Sequence, residues 1–144
     1  MRYLGLDIGR RRIGLSVGEI IASELTTLES PKDEDFYSPN GVNLASEQLR
    51  KIIKDEEVAA LVAGLPVNEE GQPTEESALI SDFCDQLKKT LNLPIYFIDE
   101  TLTSFMAADM LEEQGLSKKE IEEREHQLAA QLILQEYLEE HENR

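Results

Sequence analysis

The chain has 144 residues, 40% of them hydrophobic and 31% charged, enough for one domain with its own core and too few for two. No apolar run reaches the roughly 18 residues of a membrane span. The opening MRYLGLDIG lacks a signal-peptide core, and a single cysteine, Cys84, excludes an internal disulfide and a thiolate zinc cluster. The expected address is the cytoplasm. A net charge of −16 repels phosphate backbones at long range, so any nucleic-acid partner requires a local cationic rim.

Residues 2–8 (RYLGLDI) form an apolar run closed by Gly9, the pattern of a buried strand. A turn over Gly9 to Arg12 leads into strands at 13–18 and 22–29, spaced as hairpins. Pro31 to Gly41 reads as a polar loop. The stretch 42–58 puts Leu44, Leu49, Ile52 and Ile53 near helical spacing, and VAALVAGLP is a strand closed by Gly64 and Pro66. From Thr74 the pattern is helical again, with Thr74 and Ser77 as a capping box. Its apolar stripe runs through Leu79, Ile80, Phe83, Leu87 and Leu91, with Cys84 a small buried hydrophobe on that side. LPIYFI is a fifth strand, ending in Asp99 and Glu100. Helices follow at Ser104–Gln114, stopped by Gly115, and at about Lys118–Glu140. The order βββαβαβαα implies a five-stranded mixed sheet, residues 2–8 in its centre, with helices on both faces.

Asp7 stands at the end of an apolar strand, where an unpaired carboxylate costs several kcal/mol if buried. One reading pairs it with an arginine. The other makes it a catalytic or metal-binding group at the C-terminal end of a strand, where open α/β sheets keep their sites. Asp99 and Glu100 repeat the pattern on a second strand, and gathered carboxylates suit a hard cation such as Mg²⁺. Arg10, Arg11 and Arg12 are the one tight cationic cluster. The pairs Arg50-Lys51, Lys88-Lys89 and Lys118-Lys119 read as solvated helix surface.

Four segments in order, LGLDIGRRRIGLSVGE, AGLPVNEEG, DETLTS and HQLAAQLILQEYL, resemble the motifs of the YqgF/RuvX family, described as Holliday-junction resolvases or as the nuclease trimming pre-16S rRNA ends. The likeness spans nearly the whole chain. It implies one RNase H-like α/β domain over residues 1–144 and a metal-dependent endonuclease using Mg²⁺ or Mn²⁺ on structured RNA or branched DNA. It implies no membrane partner, and a monomer or homodimer.

The family's three acids map onto Asp7, onto the Asp99-Glu100 pair and onto the position of His126. Asn68 maps to a polar contact near the scissile phosphate, Arg11 or Arg12 to a backbone-phosphate contact, and Thr103 to a residue steadying the carboxylates or the substrate. The chain departs from the pattern at Thr101, where the family has an arginine able to grip phosphate bidentately. It departs again at His126 and at Glu19, where the family has aspartates. An imidazole there favours transition metals over Mg²⁺. Those departures and the acidity leave a rival open, a catalytically weakened binding module on the same fold. A third reading, a phosphotransferase suggested by the hairpin GLDIGRRRIGLSV, conflicts with a chain too short for two lobes.

Overall fold

Three antiparallel strands open the computed structural model, Tyr3–Ile8 (β1), Arg12–Gly18 (β2) and Ser23–Glu29 (β3). There follow Gly41–Asp55 (α1), Ala60–Pro66 (β4), Glu75–Leu91 (α2), Ile95–Glu100 (β5), Thr103–Glu113 (α3) and Lys118–Glu142 (α4). The structure describes residues 1–100 and 103–142, the side chains of residues 103–105 and 142 excepted. Thr101 lies outside the described residues, as does the side chain of Thr103.

The sheet order is β3-β2-β1-β4-β5. The meander supplies one half, and β4 and β5 add in parallel on the other side of β1. The central place of β1 explains its unbroken apolar run, since such a strand is covered on both faces. Alternation along β1 sends Leu4, Leu6 and Ile8 to one face and Gly5 and Asp7 to the other.

On the first face Leu4, Leu6, Leu15 and Leu61 pack with Ala45 and Leu49 of α1 and Ile80, Phe83 and Leu87 of α2. On the second, Val62 and Ile98 pack under Ile133, Leu134 and Tyr137 of α4. That helix touches all five strands. A third apolar group, Ala107, Leu111, Leu128 and Ala129, joins α3 to α4. Among the described residues no helix is long and apolar enough to cross a membrane.

Local chemistry explains most element ends. Thr74 accepts from the Ser77 N–H at 3.1 Å while Ser77 Oγ accepts from the Thr74 N–H at 2.6 Å, closing the expected capping box of α2. Asn92, in the left-handed region at φ 55°, ends that helix. Helix α1 stops three residues short of the expected Val58, because Glu57 turns left-handed at φ 54° and Val58 N–H reaches back to Ile53 O at 2.9 Å.

Two expectations change in detail. Leu79, placed on the buried stripe of α2, is 39% exposed, whereas Cys84 is buried as expected, its thiol pushed up to about 12 by burial. The segment read as a polar loop carries a core residue: Phe36 is fully buried, and its N–H donates to Arg10 O at 2.8 Å.

Candidate active site

Asp7 is 6% exposed, one of four buried polar or charged residues among those described. It lies near the C-terminal end of β1, paired across β2 with Gly14. A Cβ on Gly14 would run into the carbonyl of His126. The missing side chain therefore lets the α4 backbone lie directly on β2, delivering His126 to Asp7. His126 Nδ1 stands 3.2 Å from Asp7 Oδ2. That hydrogen bond holds the imidazole pKa above its ordinary value against the opposing effect of burial, with the charges of Asp7 and Glu125 adding to the rise. Glu125 Oε1 stands 3.8 Å from the other ring nitrogen, Nε2.

Several polar ties fix α4 in this position. Ser16 Oγ donates to Ala130 O at 2.7 Å in the buried interior. Arg12 Nη1 donates to Glu122 O at 3.0 Å, and Arg124 pairs with Glu24 at 3.0 Å.

The second acid arrives from β5. That strand extends through Asp99 and Glu100, because β4 pairs with it as far as the rung Pro66–Glu100. The two acids are therefore successive residues of one strand and turn opposite ways. Glu100 lies on the α4 face, its carboxyl carbon 2.9 Å from where a Cβ of Gly64 would be. Gly64 follows the β1–β4 rung Leu6–Ala63 by one residue, as Asp7 does. Its lack of a side chain leaves the space that the Glu100 carboxylate fills. Asp99 is not brought to Asp7. It is exposed at the sheet edge and lines a groove of about 320 Å³ with Phe97, Glu136 and Glu140. Burial first, then the charges of Glu140, Glu139 and Asp99, raise the carboxyl pKa of Glu136.

Asp7 and Glu100 are oxygen donors of the type Mg²⁺ and Mn²⁺ prefer. Among the described residues no three His, Cys, Asp or Glu side chains stand close enough to enclose an ion. Two carboxylates nonetheless fit Mg²⁺, which keeps several waters and is held by one or two carboxylates together with substrate phosphates.

The other expected residues are engaged in contacts of their own. Asn68 Oδ1 accepts from the N–H groups of Glu70 and Gln72 at 3.0 and 2.9 Å, so its oxygen is committed to shaping its own turn. Arg10 is paired with Asp35 at 3.0 Å and lies over the ring of Tyr37 at 5.2 Å. Arg11 donates to Pro31 O at 2.8 Å. Arg12 divides itself between Glu29, at 3.5 Å, and Glu122 O.

Tyr37 was missed from the sequence. Its hydroxyl donates to Glu76 at 2.8 Å, and burial with that contact pushes its pKa far above the ordinary range, the charge of Asp7 adding to the effect. Two aromatics side by side in an otherwise polar loop, Phe36 and Tyr37, were the available signal.

The profile described as "RuvX: Holliday junction resolvase" matches residues 1–140. The chain belongs to the RuvX family. Among its relatives, a protein of Chloroflexus aggregans named "Putative pre-16S rRNA nuclease" is 36% identical over 138 residues, covering 94% of this chain and 91% of that one. A protein of the same name from Lactobacillus johnsonii is 34% identical over 144 residues, covering 96% of each.

Solved structures agree on the fold. T. thermophilus RuvC in complex with a Holliday junction substrate superposes with a TM-score of 0.61 at 15% identity, covering 99% of this chain and 96% of that one. The fowlpox virus Holliday junction resolvase gives 0.58 at 12%, covering 97% and 99%. The RuvX chain therefore has the RNase H-like fold expected from its motifs.

Proposed function

We propose that this RuvX protein is a metal-dependent endonuclease acting on structured nucleic acid, either branched DNA or the folded ends of an rRNA precursor. The observation that carries the reading is Asp7. A buried carboxylate is costly, and here the α4 backbone seated on Gly14 brings His126 to it while Glu100 faces the same side of the sheet. Asp7 and Glu100 would hold Mg²⁺ or Mn²⁺, which would supply a water activated for in-line attack and charge stabilisation for the leaving oxygen. His126 orients Asp7 through its contact with Oδ2. Arg11 and Arg12 hold backbone phosphate beyond the centre, and Thr103 and Asn68 belong to its margin. The cytoplasm, where such substrates reside, is the matching address.

The test is cleavage of a labelled four-way DNA junction and of a labelled pre-16S stem, each with Mg²⁺, Mn²⁺ or chelator. Metal-dependent cleavage of at least one is expected, and Asp7→Asn should lower its rate at least about a hundredfold, the scale of losing one preorganised electrostatic group. Absence of cleavage with either ion would sink the endonuclease reading.

One contact favours a second reading. Because His126 occupies one oxygen of Asp7 at 3.2 Å, the site could be closed to ions and the protein serve as a binding module. In that case both substrates are bound but not cut, and Asp7→Asn binds like the wild type. Cleavage gained by His126→Asp would identify His126 as the block.

A further inference from the structure

Cations are scarce on this chain: 14 lysines and arginines stand against 30 acids. Where three of them meet is therefore informative. At the tip of the β1–β2 hairpin a pocket of about 280 Å³ is lined by Arg11, Arg12, Glu29, Ser30 and Lys32. Its cations are differently engaged. Arg12 is held by Glu29 and the α4 backbone, whereas Arg11 and Lys32 are exposed and pair with no carboxylate among the described residues. Ser30 adds a second, independent feature: its Oγ is shielded from solvent with no hydrogen-bond partner among the described residues. A buried hydroxyl left unpaired costs about 1–3 kcal/mol unless something supplies its bond. Its N–H donates to Arg11 O at 2.9 Å, so the β3 end and the hairpin tip are held as one unit.

We propose that this pocket is a phosphate subsite, formed by Arg11, Ser30 and Lys32, for a backbone phosphate away from the bond that is cut. Arg12 lies two residues along β2 from Gly14, the residue opposite Asp7, roughly 7 Å at the rise of a strand. A nucleic-acid strand advances about 3.4 Å per phosphate along its axis. The pocket therefore receives a phosphate on the order of two nucleotides from the one at Asp7, fixing the register of the substrate without reading its bases. Glu29, paired with Arg12 and lining the same pocket, is the negative charge that opposes an incoming phosphate. This assignment rests on the nucleic-acid reading of the site for its substrate, but not for its anion chemistry.

The experiment measures binding of the labelled four-way junction and the pre-16S stem to the full chain without divalent ions, across a salt series. Lys32→Ala is expected to lower the slope of log affinity against log salt by about one, and binding several-fold, equally for both substrates. Glu29→Gln should tighten binding by removing the competing charge. Unchanged slope and affinity in Lys32→Ala would overturn the subsite. If the wild type binds neither nucleic acid, the proposed function fails, and inorganic pyrophosphate followed by NMR decides the pocket separately. Shifts confined to Arg11, Ser30 and Lys32 would support it, and none there would overturn it.

Discussion

The two faces of the sheet are built to different rules. Beneath α1 and α2 the contacts are mainly apolar side chain on apolar side chain: Leu4, Leu6, Leu15 and Leu61 meet Leu49, Ile80 and Phe83. Beneath α4 the backbone of the helix comes close to the strands where residues are small. Gly14 meets the His126 carbonyl, and Ser16 bonds to Ala130 O. The same face buries Asp7 and shelters Glu100. One face stabilises by apolar area. The other gives up side-chain volume at Gly14 and Gly64, and the α4 backbone and the Glu100 carboxylate occupy the room released there.

That contrast can be broken at its sharpest point by Gly14→Ala. The new methyl collides with main-chain atoms of α4, which cannot move aside as a side-chain tip can. A loss above about 4 kcal/mol is expected, beyond the usual range for overpacking, read by chemical denaturation. A variant as stable as wild type would mean that α4 does not need its close seat. Leu61→Ala tests the other face, where a fully buried leucine leaves a cavity. About 3 kcal/mol should be lost, while the cleavage rate per folded molecule stays the same.

Gly64→Ala is a milder change that sharpens the difference. Its methyl would meet the tips of Ile133 and Glu100 at 2.6 and 2.9 Å, and both can yield. Stability should fall by only about 1 kcal/mol, yet cleavage by roughly tenfold or more as Glu100 is displaced. Equal activity would show that the position of Glu100 is immaterial.

The smallest effect is a pH dependence belonging to the α4 face alone. His126 holds its proton more tightly folded than unfolded, chiefly through the hydrogen bond to Asp7. The contribution is therefore complete below the unfolded value of about 6.5 and is lost as pH rises through the higher folded value. Thermal melts of metal-free protein across that window should show the decline in wild type and not in His126→Ala. Identical profiles would remove the ion pair from the account of this site.

Much of this was legible in the residues themselves. The apolar run of β1, the Thr74 capping box and the alternation of strand and helix after residue 58 are local patterns, and local hydrogen bonding and burial produce them. Asp7 was visible for the same reason, as a charge where the pattern demanded an apolar residue. Asp99 and Glu100 were visible as acids closing a second apolar strand, and the family motifs added His126, but without geometry.

What the sequence determined alone was thus the element order, the family and the strand ends at which the acids sit. Tertiary structure decided where each acid goes. Pairing with β4 carries β5 through Asp99 and Glu100, so alternation separates two neighbours and sets the Glu100 carboxylate beside Gly64. It also decided that His126, 119 residues from Asp7 in sequence, lies against it. A glycine's missing side chain has meaning only once a second segment is packed on it, and no pattern along one strand records which segment that will be.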